Sequence, residues 1–392
     1  MSGWDLEPGV AYLNHGSFGA CPRAVLEYQA DLQRRLERHP ARFLARELEG
    51  LLDAARQDLA RFIGADPDCV AFVTNATTGA NTIIHGLALR PGDELLTTDH
   101  AYGACRDALD FAAARAGAKV VTAKVPFPIR HEDDIVGPVL AAVSRRTRLA
   151  LLDHVTSPTA LVFPIERLVR ELLARGVKTL VDGAHGPGML PLHVGRIGAA
   201  YYTGNAHKWM CSPKGAAFLH VREDLRESTH PLVISHGATA PLAGRSRFRR
   251  EFDWTGTCDP TPWLSVPEAI RHLGGLLPGG WPALMTRNRA LALRARAHLL
   301  ESLGAEAPCP EEMIGATASV PLPAFASGSP GAKLSAEALI AFVFERRRIE
   351  TWFSPWACPG GKLVRISAQL YNTEEEYARL AATLLDLVRG AI

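Results

Sequence analysis

The order of strand-like and helix-like segments predicts an α/β protein, with a large domain on a mostly parallel sheet and a smaller α+β C-terminal domain. Three observations carry this. From Cys69 onward short apolar runs alternate with helical stretches, the pattern of repeated β-α-β crossovers. After about Trp254 the texture changes: Pro260, Pro262, Pro267, Pro278 and Pro282 lead into a long helix and a second group of strands. A chain of 392 residues also exceeds what one compact core usually holds. The expected boundaries are residues 1–22 for an N-terminal segment packing with the small domain, 23–262 for the large domain and 263–392 for the small one.

The elements follow in order. Tyr12-Leu13-Asn14-His15-Gly16-Ser17-Phe18-Gly19 reads as an irregular loop, given its two glycines and small polar residues. A charged helix is predicted over 23–39 and another over 41–63, where Phe43, Leu44, Leu48, Leu51, Leu52 and Leu59 recur at core-facing spacing. A buried strand over 70–73 turns through Thr74-Asn75-Ala76-Thr77-Thr78-Gly79 into a helix reaching residue 89. Strands are predicted over 94–97, 118–124, 149–153, 179–182, 199–203 and 216–221, with helices over 102–116 and 165–175 between them. The C-terminal part reads as helix 283–303, strand 316–322, helix 335–346, strands near 349–353 and 363–367, and helix 373–389.

Composition narrows the function. Hydrophobic residues at 47% and charged residues at 21% are ordinary globular usage, against a disordered or fibrous chain. A formal charge of +2 and the lack of any long basic run argue against a nucleic-acid partner; Arg346-Arg347-Arg348 reads as a solvated helix end. The N-terminal stretch shows no basic segment followed by an apolar core, so no signal peptide is expected. No apolar run reaches the roughly 18 residues of a spanning helix, so no membrane partner is expected. Seven scattered cysteines, never spaced C-x-x-C, suit reduced thiols in the cytoplasm better than disulfides or a metal site.

One pair of motifs carries chemistry. Leu180-Val181-Asp182-Gly183-Ala184-His185 is an apolar run that ends on a carboxylate and then turns. Asn205-Ala206-His207-Lys208 follows, with Lys208 standing 26 positions after the aspartate and beside Trp209. An acid at the end of a buried strand and a lysine in a partly apolar pocket are what pyridoxal phosphate needs. The acid keeps the pyridine nitrogen protonated, and the lysine forms the Schiff base. The turn into the helix after residue 73 offers N–H groups and Thr hydroxyls at a positive dipole end, a phosphate seat, although an ordinary N-cap would look the same. Each of these clusters falls at the carboxyl end of a predicted strand, where ligands of open α/β sheets sit.

Together with Asp99-His100-Ala101-Tyr102-Gly103-Ala104, Asp253-Trp254-Thr255-Gly256-Thr257-Cys258-Asp259-Pro260 and Val364-Arg365-Ile366-Ser367-Ala368-Gln369-Leu370-Tyr371-Asn372, these motifs cover nearly the whole chain in one order. They resemble the fold-type I pyridoxal-phosphate enzymes of the aminotransferase class V superfamily, and within it the isopenicillin N epimerase-like branch. The resemblance implies that Lys208 carries the cofactor and moves the Cα proton. It implies that Asp182 pairs with the pyridinium, and that His185 bonds the 3-oxygen side where many relatives have glutamine. Ala76, Thr77 and Thr78 would cradle the phosphate with His207 and Asn205. Thr257 would reach it across a homodimer interface that shares the sites. His100 or Tyr102 would stack on the ring, and Ser157, with Thr156, would line the 3-oxygen side. Arg365 would hold the substrate carboxylate, for which a planar guanidinium fork is suited, with Asn14 and His15 at the mouth.

The implied activity is chemistry at the Cα of an amino-acid moiety through an external aldimine. Epimerisation in secondary metabolism is the first reading, needing a second proton donor such as Tyr102 or His100. The alternative is a C–S lyase or a decarboxylating enzyme acting on an S-conjugated cysteine. Trp352, Phe353 and Trp356 suggest a substrate larger than a free small amino acid. Desulfurase is disfavoured because Cys358 stands only 7 places before Arg365, between Ala357 and Pro359. Aminotransfer and a non-catalytic cofactor-binding role rank lower still.

Overall fold

The structure is a computed structural model describing residues 3–392; Met1 and Ser2, at the head of the predicted N-terminal segment, lie outside the described residues. Its strands are β1 (Ala11–Tyr12), β2 (Val70–Val73), β3 (Glu94–Thr98), β4 (Lys119–Ala123), β5 (Thr147–Asp153), β6 (Lys178–Asp182), β7 (Tyr201–Asn205), β8 (Ala217–Val221), β9 (Thr317–Pro321), β10 (Ile349–Glu350), β11 (Trp352–Pro355) and β12 (Lys362–Ser367). Seven of them form one sheet in the order β2-β8-β7-β6-β5-β3-β4. From β7 to β4 every pairing is parallel, while β8 runs antiparallel to both its neighbours.

Successive residues of a strand point to opposite faces, and the core shows it. Leu149 and Leu151 enter one apolar cluster, whereas Ala150 and Leu152 enter the other. The sheet is therefore covered on both faces, which is why its strands read as continuous apolar runs. The chain order reverses between β3 and β5, since β4 lies outward of β3 and β6 lies on the far side of β5. That reversal opens a crevice beyond the strand ends, and the polar groups described below gather there.

A three-stranded antiparallel sheet, β11-β12-β9, forms the centre of the C-terminal half. The N-terminal segment runs along it: β1 pairs in parallel with β10, and Leu13 bonds Glu350 and Ser367 through its N–H and C=O. The helix Val266–Gly275 packs on Leu48–Ile63 of the sheet-bearing half.

Two local departures from the periodic reading have physical causes. The helix predicted over 41–63 carries a π-helical turn, Phe43–Glu47, closed by the Leu48 N–H on the Phe43 carbonyl. A five-residue closure brings residues i and i+5 together, and Phe43 and Leu48 are both buried. The proline-rich stretch after Trp254 is also more helical than it reads, because Pro262 and Pro267 sit in first turns, where the missing N–H costs nothing.

An ionic cluster ties Leu48–Ile63 to the helix Arg247–Asp253. Arg56, buried to 1%, pairs with Asp53 and Asp253, while Arg245 and Arg249 close on Asp53. Burial pushes Arg56 down and Asp253 up from their ordinary pKa values, each away from its charged form. Such a pair stabilises little on balance, but deleting one member strands the other. Arg56→Ala is expected to cost about 3 kcal/mol, the low end of the range for a broken buried pair, because Arg245 stays 3.6 Å from Asp253. The urea unfolding midpoint checks it.

Candidate active site

Asp182 ends β6 at the centre of the sheet. Its carboxylate accepts the Ala184 N–H at 3.0 Å and the Cys105 S–H at 3.2 Å. The turn after it needs glycine: a Cβ on Gly183 would stand 2.1 Å from the Tyr202 ring. In the next strand Asp153 lies in register with Asp182. One oxygen of Asp153 accepts the Tyr102 N–H at 3.2 Å, and the other is buried without a partner. Burial, and then the charge of Asp182, push the Asp153 carboxyl well above the usual carboxylate range. Two carboxylates abreast in a dry site do not both ionise easily, and burial disfavours the charged form of Asp153.

Lys208 follows β7 in a tight turn, with its amine 3.1 Å from His185 Nε2. Burial, and then Arg365, lower its pKa to about 8. The turn is backed by the N-terminal loop: His15 bonds the Lys208 carbonyl at 3.1 Å, and a Cβ on Gly19 would meet that same oxygen at 2.5 Å. His185 lies far below the usual histidine range because of burial first, then Lys208, Arg365 and His15.

The other end of the cleft lies at the start of the helix Ala76–Gly86. Asn75 caps it by accepting the Thr78 N–H at 2.7 Å, and the Ala76 N–H donates to Asn205 at 2.8 Å. Between them Thr77 faces the cleft. His207 donates from Nδ1 to the Ala216 carbonyl at 2.9 Å, and burial lowers its pKa to about 4. As a neutral ring it offers only a lone pair at Nε2, so it serves an anion once that anion draws a proton onto it.

The structure thus brings Ala76, Thr77, Tyr102, Ser157, Asp182, His185, Asn205, His207 and Lys208 to one cleft of about 190 Å³. Other predicted residues stand elsewhere. His100 is buried, with its nitrogens on Thr159 and the Val125 carbonyl and its ring against Phe127, Phe163 and Trp356; Tyr102, 43% exposed, is on the wall, as is Phe18. Thr78 spends its N–H and hydroxyl on Asn75, and Thr156 bonds Thr159 and the Leu161 N–H. Thr257 is exposed and off the wall of its own chain's cleft.

Arg365 is buried behind the wall. It donates to the Ser157 carbonyl and hydroxyl at 2.7 and 3.1 Å, to Asn14 at 3.3 Å and to Ser17 at 2.5 Å. Its Nε is buried without a partner. His15 lies behind Lys208 rather than at the mouth. The aromatic loop does not enlarge the cleft either: Phe353 is core, Trp356 packs on His100, and Trp352 lies under Arg365.

Sequence reasoning missed Asp153, Cys105 and Lys214. Asp153 was visible by the rule that found Asp182, since Leu149-Ala150-Leu151-Leu152 is also an apolar run ending on a carboxylate. Lys214, an exposed lysine on the wall, had no pattern to mark it.

A family model for aminotransferase class-V matches residues 22–380, and the chain belongs to that family, with pyridoxal phosphate its expected cofactor. Over 391 residues it is 37% identical to an isopenicillin N epimerase of Streptomyces clavuligerus, covering 97% of this chain and 95% of that one. It is 34% identical to a probable chloroplastic L-cysteine desulfhydrase of Arabidopsis thaliana, over 98% of this chain and 84% of the relative. In fold it is similar to the cystine C–S lyase C-DES, solved with its product cysteine persulfide, with a TM-score of 0.79 and 23% identity over 97% of this chain and 98% of that one.

The donor set fits the cofactor: a strand-end acid and a lysine share one cleft with a helix N-terminus, and Asp153, one of whose oxygens is buried without a partner, lines the same space. Lys208 attacks an aldehyde only as the neutral amine. Its reaction with an added aldehyde should therefore rise about tenfold per pH unit and level off near the pKa of about 8. Mass spectrometry after borohydride reduction measures it. A rise that continues to pH 10, the ordinary range for lysine, would contradict the lowered value.

Proposed function

We propose that the chain is a pyridoxal-phosphate enzyme acting at the Cα of an amino-acid moiety, with epimerisation as its first reading. The observation that carries it is one cleft holding Asp182, an amine lowered to about 8 on Lys208, and the Tyr102 phenol. The bound cofactor supplies an electron sink for the charge that develops at Cα. Asp182 offers a negative charge for the ring nitrogen, and Thr77, His207 and Asn205 would hold the phosphate, with Lys214 adding positive charge. Lys208 removes the Cα proton. Burial raises the Tyr102 pKa, so that phenol keeps its proton at neutral pH and is the donor to return one. Arg365 takes the substrate carboxylate in exchange for Ser17 and Asn14.

C–S cleavage or decarboxylation of an S-conjugated cysteine is the second reading, favoured by the similarity to L-cysteine desulfhydrases along the whole chain. A desulfurase role is not favoured: Cys358 donates its thiol to the Lys362 carbonyl at 3.1 Å in the hairpin between β11 and β12. A homodimer belongs to the first reading, in which the exposed Thr257 reaches the cleft of a second copy. So does natural-product metabolism in the cytoplasm, a reducing setting that suits seven unpaired cysteines.

The test is turnover of candidate amino acids and S-conjugated cysteines in deuterated water. Cα exchange with inversion supports the epimerase. Pyruvate with a released thiol, or carbon dioxide, supports the second reading. Protein that stays colourless with added pyridoxal phosphate, and gains no mass on borohydride reduction, sinks both.

A further inference from the structure

We infer that Trp209 is a positioning residue that locks His185 as a neutral imidazole with its proton on Nε2, leaving His185 able only to donate toward Lys208 and the cofactor's 3-oxygen. The 3-oxygen part rests on the function proposed above; the tautomer does not.

The argument starts from an asymmetry in donors. The Trp209 indole N–H lies 3.2 Å from His185 Nδ1, and an indole nitrogen donates but never accepts. Nδ1 must then present its lone pair. The neutral ring consequently carries its proton on Nε2, the atom 3.1 Å from the Lys208 amine. Protonating Nδ1 would set two N–H groups against each other. The indole cannot turn aside, because Trp209 is fully buried, packs at 5.0 Å on the His15 ring, and meets Val155, Met189 and Ala316. Gly188 closes the cage, since a Cβ there would stand 2.6 Å from the Trp209 backbone.

Among the described residues no acidic group forms an ion pair with the ring. The groups that face His185 electrostatically are Lys208 from the turn after β7, Arg365 from β12 and His15 from the N-terminal loop, all basic. Asp182, three residues upstream, has its oxygens on Ala184 and Cys105. Among the described residues no carboxylate bonds the ring. The lock also acts on Lys208. An Nε2–H aimed at the amine is satisfied only by a lone pair, which the ammonium lacks and the neutral amine has. Trp209 thus favours, through His185, the reactive form of Lys208.

The test is nitrogen NMR of the full-length protein labelled with ¹⁵N-histidine, as purified and loaded with pyridoxal phosphate. His185→Gln assigns the signal by removing it. The expected His185 pattern is an unprotonated Nδ1 and a protonated Nε2, unchanged between about pH 5 and pH 8, where a free histidine changes charge. Titration of His185 within that window, or a proton on Nδ1, overturns the proposal; the pattern is read in the natural protein, and His185→Gln serves for assignment alone. In Trp209→Phe the signal should mix tautomers or begin to titrate. The pH at which bound-cofactor absorbance changes should shift between the natural protein and Trp209→Phe. It should not shift between His185→Gln and His185→Gln/Trp209→Phe, because an amide donor needs no tautomer lock. An equal shift in both pairs would mean a merely structural tryptophan. Protein that stays colourless fails the proposed function, while the NMR pattern still decides the lock.

Discussion

Lys208→Ala is expected to reduce turnover by at least about 10⁴-fold, the upper end for one positioned acid–base group, because in the proposed function the same amine holds the cofactor and moves the proton. Borohydride should then add no mass to the chain, and gel filtration should strip the colour. The fold should survive, since the lysine side chain makes one hydrogen bond, to His185, and leaves the backbone contacts of its turn intact. A small primary amine added to the variant should restore part of the lost proton transfer. A variant that turns over substrate at an undiminished rate would remove Lys208 from the chemistry.

Asp182→Asn carries the second large effect, and it separates binding from turnover. The amide keeps the shape that accepts the Ala184 N–H but loses the charge that would face the ring nitrogen. Capture of the cofactor by Lys208 should persist, seen as borohydride-fixed mass. Turnover should fall about 10²–10³-fold, the usual scale for removing one preorganised electrostatic group. Asp153 does not take over. Losing the neighbouring charge lets its carboxyl ionise more readily, but burial, the larger cause of its raised pKa, remains. Full turnover in Asp182→Asn would show that the pyridine nitrogen is served by another group.

What was legible in the sequence was what a local pattern can carry. An apolar run ending on an acid marks a strand meeting the cleft, so β6 and Asp182 could be read directly. Alternation of short apolar runs with helices was enough for the parallel sheet. Side-chain direction in an irregular loop has no period, so nothing local separated Tyr102 on the wall from His100 beneath it. Asn14 was set beside Arg365 by the resemblance alone, and Ser17 was out of reach for another reason: it comes from the opposite end of the chain, which the pairing of β1 with β10 and the Leu13 bonds to Glu350 and Ser367 bring there. The π-helical turn was hidden because its residues fit α-helical spacing equally well.

The N-terminal loop touches both Arg365 and the Lys208 turn at once. Asn14 and Ser17 grip Arg365, while His15 and Gly19 brace the backbone of Lys208 a few residues along. If Arg365 takes the substrate carboxylate as proposed, unseating Ser17 would tug on the strap behind the amine and gear recognition to reactivity. An unreactive carboxylate should therefore change the hydrogen-exchange rate of the amides from Gly16 to Ala20, and Arg365→Lys should abolish that response.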